Sequence, residues 1–363
     1  MSLLAEVGAQ AITDAGLRKA DIDGLVTSND NVNSIDLAEY MRIRPQWTGS
    51  MTVHGSSGVH SVAMAAAALA AGYCTAVLCV FAGSRETPGA ESGAVGGRPS
   101  LSLATEWVAP FGDFGPPSSY AIMKSRYMYQ FGARDEQFAK IMVDQRVNAL
   151  ANPNAVFQSP LTINDVLESR YVCQPLHLLE CVMRAAGGTA AVLTTADRAK
   201  SLPHPPVYLL GAGGAATTHM QYWQAPDLVV SPVVKSARGA LEIAQYGVRD
   251  LQFAELYDNF SIFLPITVED IGICPKGEGA NFYSDTDTTY RGAFPINTDG
   301  GQISGGQVVL SAGGFRHVVE ATQQIQGRAG QRQVTRHDLC VVNGVGGTAS
   351  STATLVLGSE STL

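Results

Sequence analysis

The sequence predicts an α/β protein whose fold is built from two similar halves. One observation is a pattern of helix, glycine stop and strand over residues 3–27, which returns over residues 240–257. Another is a glycine-containing turn followed by a helix and a strand over residues 55–82, which matches residues 300–343. Helices that alternate with strands are typical of α/β folds, and a repeated pattern indicates a duplicated unit.

The first pair of matching segments contains an amphipathic helix. The helix predicted over Leu3–Ala15 ends at Gly16, and its counterpart over Ala240–Ala244 precedes a strand at Phe253–Tyr257. Glycine just after the last periodic residue is a common signal for the end of a helix. The second pair consists of Gly55-Ser56-Ser57-Gly58, a helix to Gly72 and a strand over Ala76–Ala82, matched by Gly300–Gly314, a helix over Phe315–Gly327 and a strand over Leu339–Asn343.

The divide between the halves is predicted between Ala225 and Val234. This gives an N-terminal half of residues 1–228 and a C-terminal half of residues 229–363. A long excursion, roughly residues 85–180, interrupts the first half. An insertion of this length in an α/β domain is often a lid or a ligand-binding subdomain, so we expect it to lie near a site.

Two segments of the excursion have patterns of their own. Gly89–Gly97 is glycine-rich and is predicted to be mobile. Tyr120–Leu150 predicts one or two amphipathic helices.

Charge and cysteine content exclude several classes of protein. The net charge is −8 and no basic stretch is long enough to neutralise a nucleic-acid backbone. The apolar stretch Val62–Gly83 changes from alanine-rich to strand-like sequence at Gly72 and Tyr73, which predicts a buried helix and strand and not a membrane span. The six cysteines form no CxxC pair, and neither metal-ligand spacing nor a signal peptide is visible. We therefore expect a cytoplasmic protein with free thiols and no metal site.

Four segments together resemble the thiolase superfamily over nearly the whole chain. They are the helix start Gly55-Ser56-Ser57-Gly58, the run Gly187–Val192, the stretch Asn297-Thr298-Asp299-Gly300-Gly301 and the C-terminal loop Asn343-Gly344-Val345-Gly346-Gly347. Two further segments, Tyr257-Asp258-Asn259-Phe260 and Lys276-Gly277-Glu278-Gly279, are similar to the subgroup of sterol-carrier-type thiolases and bacterial lipid-transfer proteins, which includes steroid side-chain aldolases.

The resemblance implies a thiolase fold, in which two α/β halves form a five-layer α-β-α-β-α sandwich. It also implies a homodimer and an acyl-CoA substrate, with a small OB-fold protein that carries a zinc ribbon as a partner. In this family the excursion binds CoA, so its cations Lys124, Arg126, Arg134 and Arg146 are either phosphate contacts or residues of a solvated helix face. Members of the family usually have a strand before the first helix, so we expect Met1 to mark a truncated start.

The departures from the family pattern fall on its three reactive positions. The nucleophilic cysteine of thiolases, which a helix N-terminus activates, is matched by Gly55. The histidine of the second half falls on Gln307, and the C-terminal cysteine falls on or near Asn343. Without a thiolate, the usual acyl-enzyme route is closed.

The remaining polar groups predict a site for an enolate. The backbone N–H groups of Gly55 or Ser56 and of Gly346 or Gly347 are candidates for an oxyanion hole. Gln307 and Asn343 are expected to add amide hydrogen bonds. For Ser56, a helix N-cap is the structural alternative.

The resemblance to the aldolase subgroup makes Tyr257 the preferred candidate for a base or a positioning donor, with Asp258 as the alternative base. A tyrosine at the end of a strand that only packs against the sheet is the competing interpretation of Tyr257.

The function that the resemblance implies is a retro-aldol carbon–carbon lyase. It would act on a bulky β-hydroxyacyl-CoA from lipid or steroid side-chain degradation, with coenzyme A as part of the substrate and no other cofactor. Retro-aldol cleavage needs proton transfer and a stabilised enolate, but no covalent nucleophile. Two alternatives stay open: a thiolase-like acyltransferase of the acetyl-CoA acetyltransferase class, and a non-catalytic protein that binds lipid or acyl-CoA.

Overall fold

The computed structural model describes residues 1–28, 32–83, 109–112, 115–217, 225–308 and 313–363. The run Gly89–Gly97, which we predicted to be mobile, lies outside these residues.

Strands and helices alternate along the chain as the sequence predicts. The strands are β1 Gly24–Thr27, β2 Trp47–Ser50, β3 Ala76–Gly83, β4 Tyr171–Cys173, β5 Leu176–His177, β6 Arg184–Ala185, β7 Gly187–Thr194, β8 Tyr208–Ala216, β9 Phe253–Leu256, β10 Gln307–Val308, β11 Leu339–Gly346 and β12 Ser351–Gly358. The helices are α1 Ser2–Asp14, α2 Ser34–Met41, α3 Ser57–Ala70, α4 Pro116–Phe131, α5 Asp135–Leu150, α6 Ile163–Glu168, α7 Ala196–Ala199, α8 Val233–Ala244, α9 Phe263–Ile271, α10 Gly279–Asp285, α11 Gly301–Gly305 and α12 Phe315–Ile325.

Each half contributes a four-stranded sheet. The first sheet has the order β2-β1-β3-β7, in which β7 is antiparallel to β3. The second has the order β9-β11-β12-β8, in which β12 is antiparallel to both of its neighbours. The strands β1, β3 and β7 therefore correspond to β9, β11 and β12, which confirms the predicted duplication.

Two equivalent helices lie between the sheets. Helix α3 contacts β3 and β11, and α12 contacts β7, β9 and β11. Helices α1 and α2 cover the outer face of the first sheet, and α8 covers the outer face of the second. Because α3 is packed from both sides, small residues suit it, and Ala65 in its centre is fully buried. The result is the five-layer sandwich that the resemblance to the thiolase superfamily implies.

Glycines in β8 set how closely the outer helix α8 approaches the second sheet. A Cβ atom on Gly211 or Gly213 would overlap the backbone oxygen of Ala240 or Ser236 in α8. Only glycine allows the helix and strand backbones to come this close.

The boundary between the halves differs from the predicted one. We predicted that the second half begins at residue 229, but β8 already belongs to the second sheet. It pairs with β12 and precedes α8, so sheet membership places the boundary before Tyr208. The sequence of β8 is rich in glycine and alanine, which hides its strand character.

The long apolar stretch is a helix followed by a strand, as predicted. Helix α3 ends at Ala70 and β3 begins at Ala76. In the part of the chain that the structure describes, no helix is long and apolar enough to cross a membrane.

A buried ion pair anchors the excursion to the core. The Lys124 ammonium of α4 is fully buried and donates to Glu180 at 2.8 Å and to Asp135 at 2.7 Å. Glu180 also accepts a hydrogen bond of 2.6 Å from Ser261, in the segment that follows β9. Lys124 is therefore a structural cation and is not free to contact a phosphate.

Replacing Lys124 with methionine should be costly, because it leaves the Glu180 carboxylate buried without its counter-ion. We expect Lys124→Met to lower the free energy of unfolding by about 3–5 kcal/mol, measured by urea denaturation. The matched control is Arg126→Met on the exposed face of the same helix, which should change stability by no more than about 0.5 kcal/mol. Equal losses in the two variants would contradict the anchoring role of Lys124.

Candidate active site

The hydroxyl of Tyr257 fills the space beside Gly55. Tyr257 follows β9 and is 5% exposed. A Cβ atom added to Gly55 would lie closer than 3.0 Å to the Tyr257 hydroxyl oxygen and to the backbone oxygen of Val345. The tyrosine hydroxyl thus stands where a side chain at position 55 would begin.

The N-termini of the two middle-layer helices meet at this point. A Cβ atom on Gly58, in the first turn of α3, would overlap the backbone of Phe315, the first residue of α12. A Cβ atom on Gly314, just before α12, would likewise overlap the backbone oxygen of Gly55. Helix N-termini carry partial positive charge and unpaired N–H groups, so two of them together favour an anion.

The glycine loop at the end of β11 closes the other side of the site around Gly55. A Cβ atom on Gly346 would overlap the backbone oxygen of Val53 and the Ser56 hydroxyl. The Ser56 hydroxyl donates to Val53 O at 2.9 Å and lies 3.2 Å from the Ser351 hydroxyl. The structure therefore brings Gly55, Ser56 and Gly346 together, with the Ser56 side chain engaged in holding the two loops.

An asparagine side chain fixes the end of β9. The Asn297 amide accepts from Leu256 N at 2.6 Å and donates to Leu256 O at 2.9 Å, as a neighbouring strand would. The following turn uses Gly300 and Gly301, both with positive φ, to lead into α11. The segment Asn297–Gly301 thus sets the position from which Tyr257 points.

Gln307 joins Tyr257 to a second glutamine. Its amide nitrogen lies 3.2 Å from the Tyr257 hydroxyl and 3.2 Å from the side-chain oxygen of Gln302. Gln302 is fully buried in α11. No sequence pattern singles out Gln302, because one glutamine after a pair of glycines resembles many other positions.

Asp258 lies beneath the site, where it caps a helix. Its carboxylate accepts from the backbone N–H groups of Gln302 at 2.8 Å and Ile303 at 3.1 Å, and it lies 3.4 Å from Nε2 of His317. The residue is fully buried. Its two oxygens are therefore engaged in structural bonds, which makes Asp258 a weaker candidate for the base than Tyr257.

The structure does not bring the amide of Asn343 to Tyr257. Its nitrogen donates to Ala353 O at 3.1 Å and to the Thr354 hydroxyl at 3.0 Å, on the face of the sheet that α8 covers. Side chains alternate along a strand, so it is the next position, Gly344, that faces Ser56 in the middle layer.

A buried histidine and its carboxylates lie next to the glutamine pair. His317 of α12 is fully buried, with Nδ1 3.5 Å from Glu255 and Nε2 3.4 Å from Asp258. Burial alone would lower the pKa of His317, but the facing Asp258 and Glu255 carboxylates outweigh it and raise the pKa to about 9. Sequence reasoning missed this residue, because a lone histidine in a helix gives no sign of its partners.

The environment of Tyr257 keeps it a neutral phenol. Burial, assisted by the nearby Tyr120 and by the Asp258 carboxylate, raises the pKa of Tyr257 well above its ordinary value. A free phenolate is therefore disfavoured in this site.

No cysteine takes the place of the missing nucleophile. All six cysteines are unpaired. Cys340 is buried in β11 opposite Phe253, at the far end of β9 from Tyr257, and burial raises the pKa of its thiol well above the ordinary range. Among the described residues, no cluster of histidine, cysteine and acidic side chains is placed to hold a metal ion.

Adding a methyl group at position 55 should disturb the site. In Gly55→Ala, the new Cβ atom overlaps the Tyr257 hydroxyl and a backbone oxygen that cannot move aside, so we expect a loss of about 1–3 kcal/mol in the free energy of unfolding. Gly239→Ala in α8 is the control, because its Cβ atom would meet nothing within 4 Å, and it should gain about 0.5–1 kcal/mol. Thermal denaturation of both variants checks this, and an undiminished stability of Gly55→Ala would contradict the placement of Tyr257.

Comparison with known proteins gives one family. Residues 214–359 match the family model described as thiolase C-terminal domain-like. A steroid side-chain-cleaving aldolase from Thermomonospora curvata is 32% identical, in an alignment that covers 99% of this chain and 93% of the relative. An acetyl-CoA acetyltransferase from Methanothermobacter thermautotrophicus is 31% identical, over 97% of this chain and 92% of that protein.

A solved structure supports the same family. The structure described as an Ltp2-ChsH2(DUF35) aldolase superposes with a TM-score of 0.90 at 29% identity, covering 99% of this chain and 92% of that one. This chain belongs to the thiolase superfamily, in the subgroup that contains the sterol-carrier-type thiolases and the steroid side-chain aldolases.

Proposed function

We propose that this protein is a carbon–carbon lyase that cleaves a β-hydroxyacyl-CoA by a retro-aldol reaction. The observation that carries the proposal is the Tyr257 hydroxyl, which fills the space of a nucleophile's side chain at Gly55. A phenol in that position transfers protons and forms no acyl-enzyme. The names of two relatives, a steroid side-chain-cleaving aldolase and a pregnene-carboxyl-CoA lyase, support a bulky acyl group as the substrate.

The reaction requires one proton to move from oxygen to carbon. The β-hydroxyl loses its proton, the Cα–Cβ bond breaks, and its electron pair enters the thioester enolate while a ketone or aldehyde leaves. The enolate then takes a proton at Cα to give the shortened acyl-CoA. We infer that Tyr257 relays this proton: its oxygen accepts the proton from the β-hydroxyl while its own proton passes to Cα. The phenol stays neutral overall, which agrees with its raised pKa.

Two features of the site stabilise the enolate. The N-termini of α3 and α12 meet beside Tyr257, and the loops of Gly55-Ser56 and Gly346 come together near the same point. We infer that backbone N–H groups of these loops and of Gly347 form the oxyanion hole. A donor placed at a developing oxyanion is worth about 2.7–4 kcal/mol in the transition state. In the arrangement seen in the structure, Gln307 donates to the Tyr257 oxygen and keeps the phenol oriented.

The same proposal extends to partners and location. The solved aldolase contains a DUF35 partner, which supports a heteromeric complex with an OB-fold, zinc-ribbon protein. The edge strand β2 has no further neighbour in the described sheet, which supports a homodimer that pairs there.

Six unpaired cysteines support a reducing compartment such as the cytoplasm. We expect no cofactor beyond the coenzyme A of the substrate.

Replacing Tyr257 with phenylalanine removes the proton relay and leaves the ring in place. We expect Tyr257→Phe to lower kcat by about 10²–10⁴-fold, measured by mass spectrometry of the shortened acyl-CoA and of the released ketone or aldehyde. The assay uses the chain alone and with an OB-fold partner, against a panel of β-hydroxyacyl-CoA compounds. The control is Tyr246→Phe, which loses a hydrogen bond to Thr362 O outside the site and should keep its activity.

The other outcomes of this assay discriminate between functions. Cleavage that survives in Tyr257→Phe would exclude the relay. Tight binding of acyl-CoA without product, even with the partner present, would indicate a non-catalytic carrier. Condensation or acyl transfer instead of cleavage would indicate an acetyltransferase, the activity named for the archaeal relative.

A further inference from the structure

A chain of buried polar groups leads from His317 to the Tyr257 hydroxyl. Nε2 of His317 lies 3.5 Å from the amide nitrogen of Gln302. The Gln302 oxygen lies 3.2 Å from the amide nitrogen of Gln307, which lies 3.2 Å from the Tyr257 hydroxyl. The imidazole and phenol rings lie beside each other with centres 6.4 Å apart, but no hydrogen bond in the described structure joins His317 directly to the Tyr257 hydroxyl. The two glutamines are therefore the link between them.

The hydrogen bonds in this chain depend on one another. A carboxamide donates from its nitrogen and accepts at its oxygen, so turning one amide reverses the role of its neighbour. Two nitrogens face each other at the His317 end. If Nε2 of His317 has no proton, it accepts from Gln302. If it has a proton, Asp258 accepts that proton at 3.4 Å, and Nε2 then faces the Gln302 amide as a second donor. Turning the amide to present its oxygen removes this clash of two donors.

The two arrangements give Tyr257 different roles. With Nε2 unprotonated, Gln302 donates to His317, Gln307 donates to Gln302 and to the phenol oxygen, and the phenol proton is free to face a substrate. With Nε2 protonated, both amides turn, and the phenol donates to the Gln307 oxygen. The proton on His317 thus decides whether the Tyr257 proton is available.

We propose that His317 is a positioning residue that acts through Gln302 and Gln307 to set the direction in which the Tyr257 hydroxyl donates. This inference rests on the proton-relay role proposed for Tyr257. It concerns hydrogen bonds that exist without a substrate, so it is testable without turnover.

The charges around His317 make it able to switch. Two carboxylates, Glu255 from β9 and Asp258 from the segment after it, face its two nitrogens. The other charged groups nearby are Asp299, Arg316 and Glu320. Arg316 is paired with Asp299, and Glu320 is paired with Arg332 at 2.8 Å. Burial raises the pKa of Glu255 to about 7, while the facing carboxylates raise the pKa of His317 to about 9. His317 is therefore the member of this cluster that loses its proton at alkaline pH.

A purely structural role for His317 is the competing interpretation. As a counter-ion for Asp258 and Glu255, it would stabilise the fold without any effect on the phenol. If His317 instead acts on Tyr257 through the glutamines, the Gln302 amide is essential for the effect of pH on the phenol. Replacing Gln302 should then abolish that effect, although the change leaves His317 and its carboxylates in place.

The test places 3-fluorotyrosine at position 257 of the full chain and follows its ¹⁹F resonance with pH. We expect a step with a midpoint near pH 9, as His317 loses its proton. His317→Asn and Gln302→Met should each lose this step. His60→Asn is the control. Burial lowers the pKa of His60, so it does not titrate near pH 9, and this variant should keep the step.

Every outcome of this experiment either supports or refutes the inference. A step that persists in His317→Asn or in Gln302→Met overturns it, as does its absence from the parent protein. Gln302→Met keeps the test valid if His317→Asn does not fold, because it leaves the buried charges in place.

Activity measurements separate this inference from the proposed function. In a protein with lyase activity, kcat should rise with pH through the same midpoint. Gln302→Met should abolish that rise and lower the high-pH kcat by roughly 10–100-fold with KM unchanged. A ¹⁹F step without any lyase activity would refute the proposed function and leave the switch intact. Lyase activity without the ¹⁹F step would support the proposed function and refute the switch.

Discussion

The site depends on one steric constraint, the close approach of the Tyr257 hydroxyl and the Val345 carbonyl to the backbone of Gly55. Two groups occupy the volume that a side chain at this position would need. One of them is the backbone oxygen of Val345 in β11, which pairs with Thr352 of β12. Glycine is therefore required at position 55, and the loss of the nucleophile and the placement of the phenol are a single structural change.

The duplicated fold supplies the rest of the site. Two equivalent helices, α3 and α12, begin at the same place because each follows a glycine turn in its own half. Their N-termini supply the positive end of two helix dipoles, while the strand ends of β9 and β11 bring Tyr257 and the glycine loop to the same point. A buried cluster of paired charges lies below, where removing one partner would leave an uncompensated charge.

Much of this arrangement is predictable from the sequence. The duplicated pattern predicts the fold, and the resemblance of its motifs points to Gly55, Tyr257 and Gln307, which the structure places in contact. Asn343 shows the limit of motif matching, because a shift of one residue along a strand moves a side chain to the opposite face. Gln302 and His317 belong to distant segments and interact only after folding, so no local spacing reveals them.

The central claim is that cleavage proceeds without a covalent bond between the protein and the acyl group. Intact-protein mass spectrometry during turnover of a β-hydroxyacyl-CoA tests this most directly. The account predicts an unchanged protein mass while shortened acyl-CoA accumulates. A protein population heavier by the mass of the acyl group, formed and consumed at the rate of turnover, would contradict it.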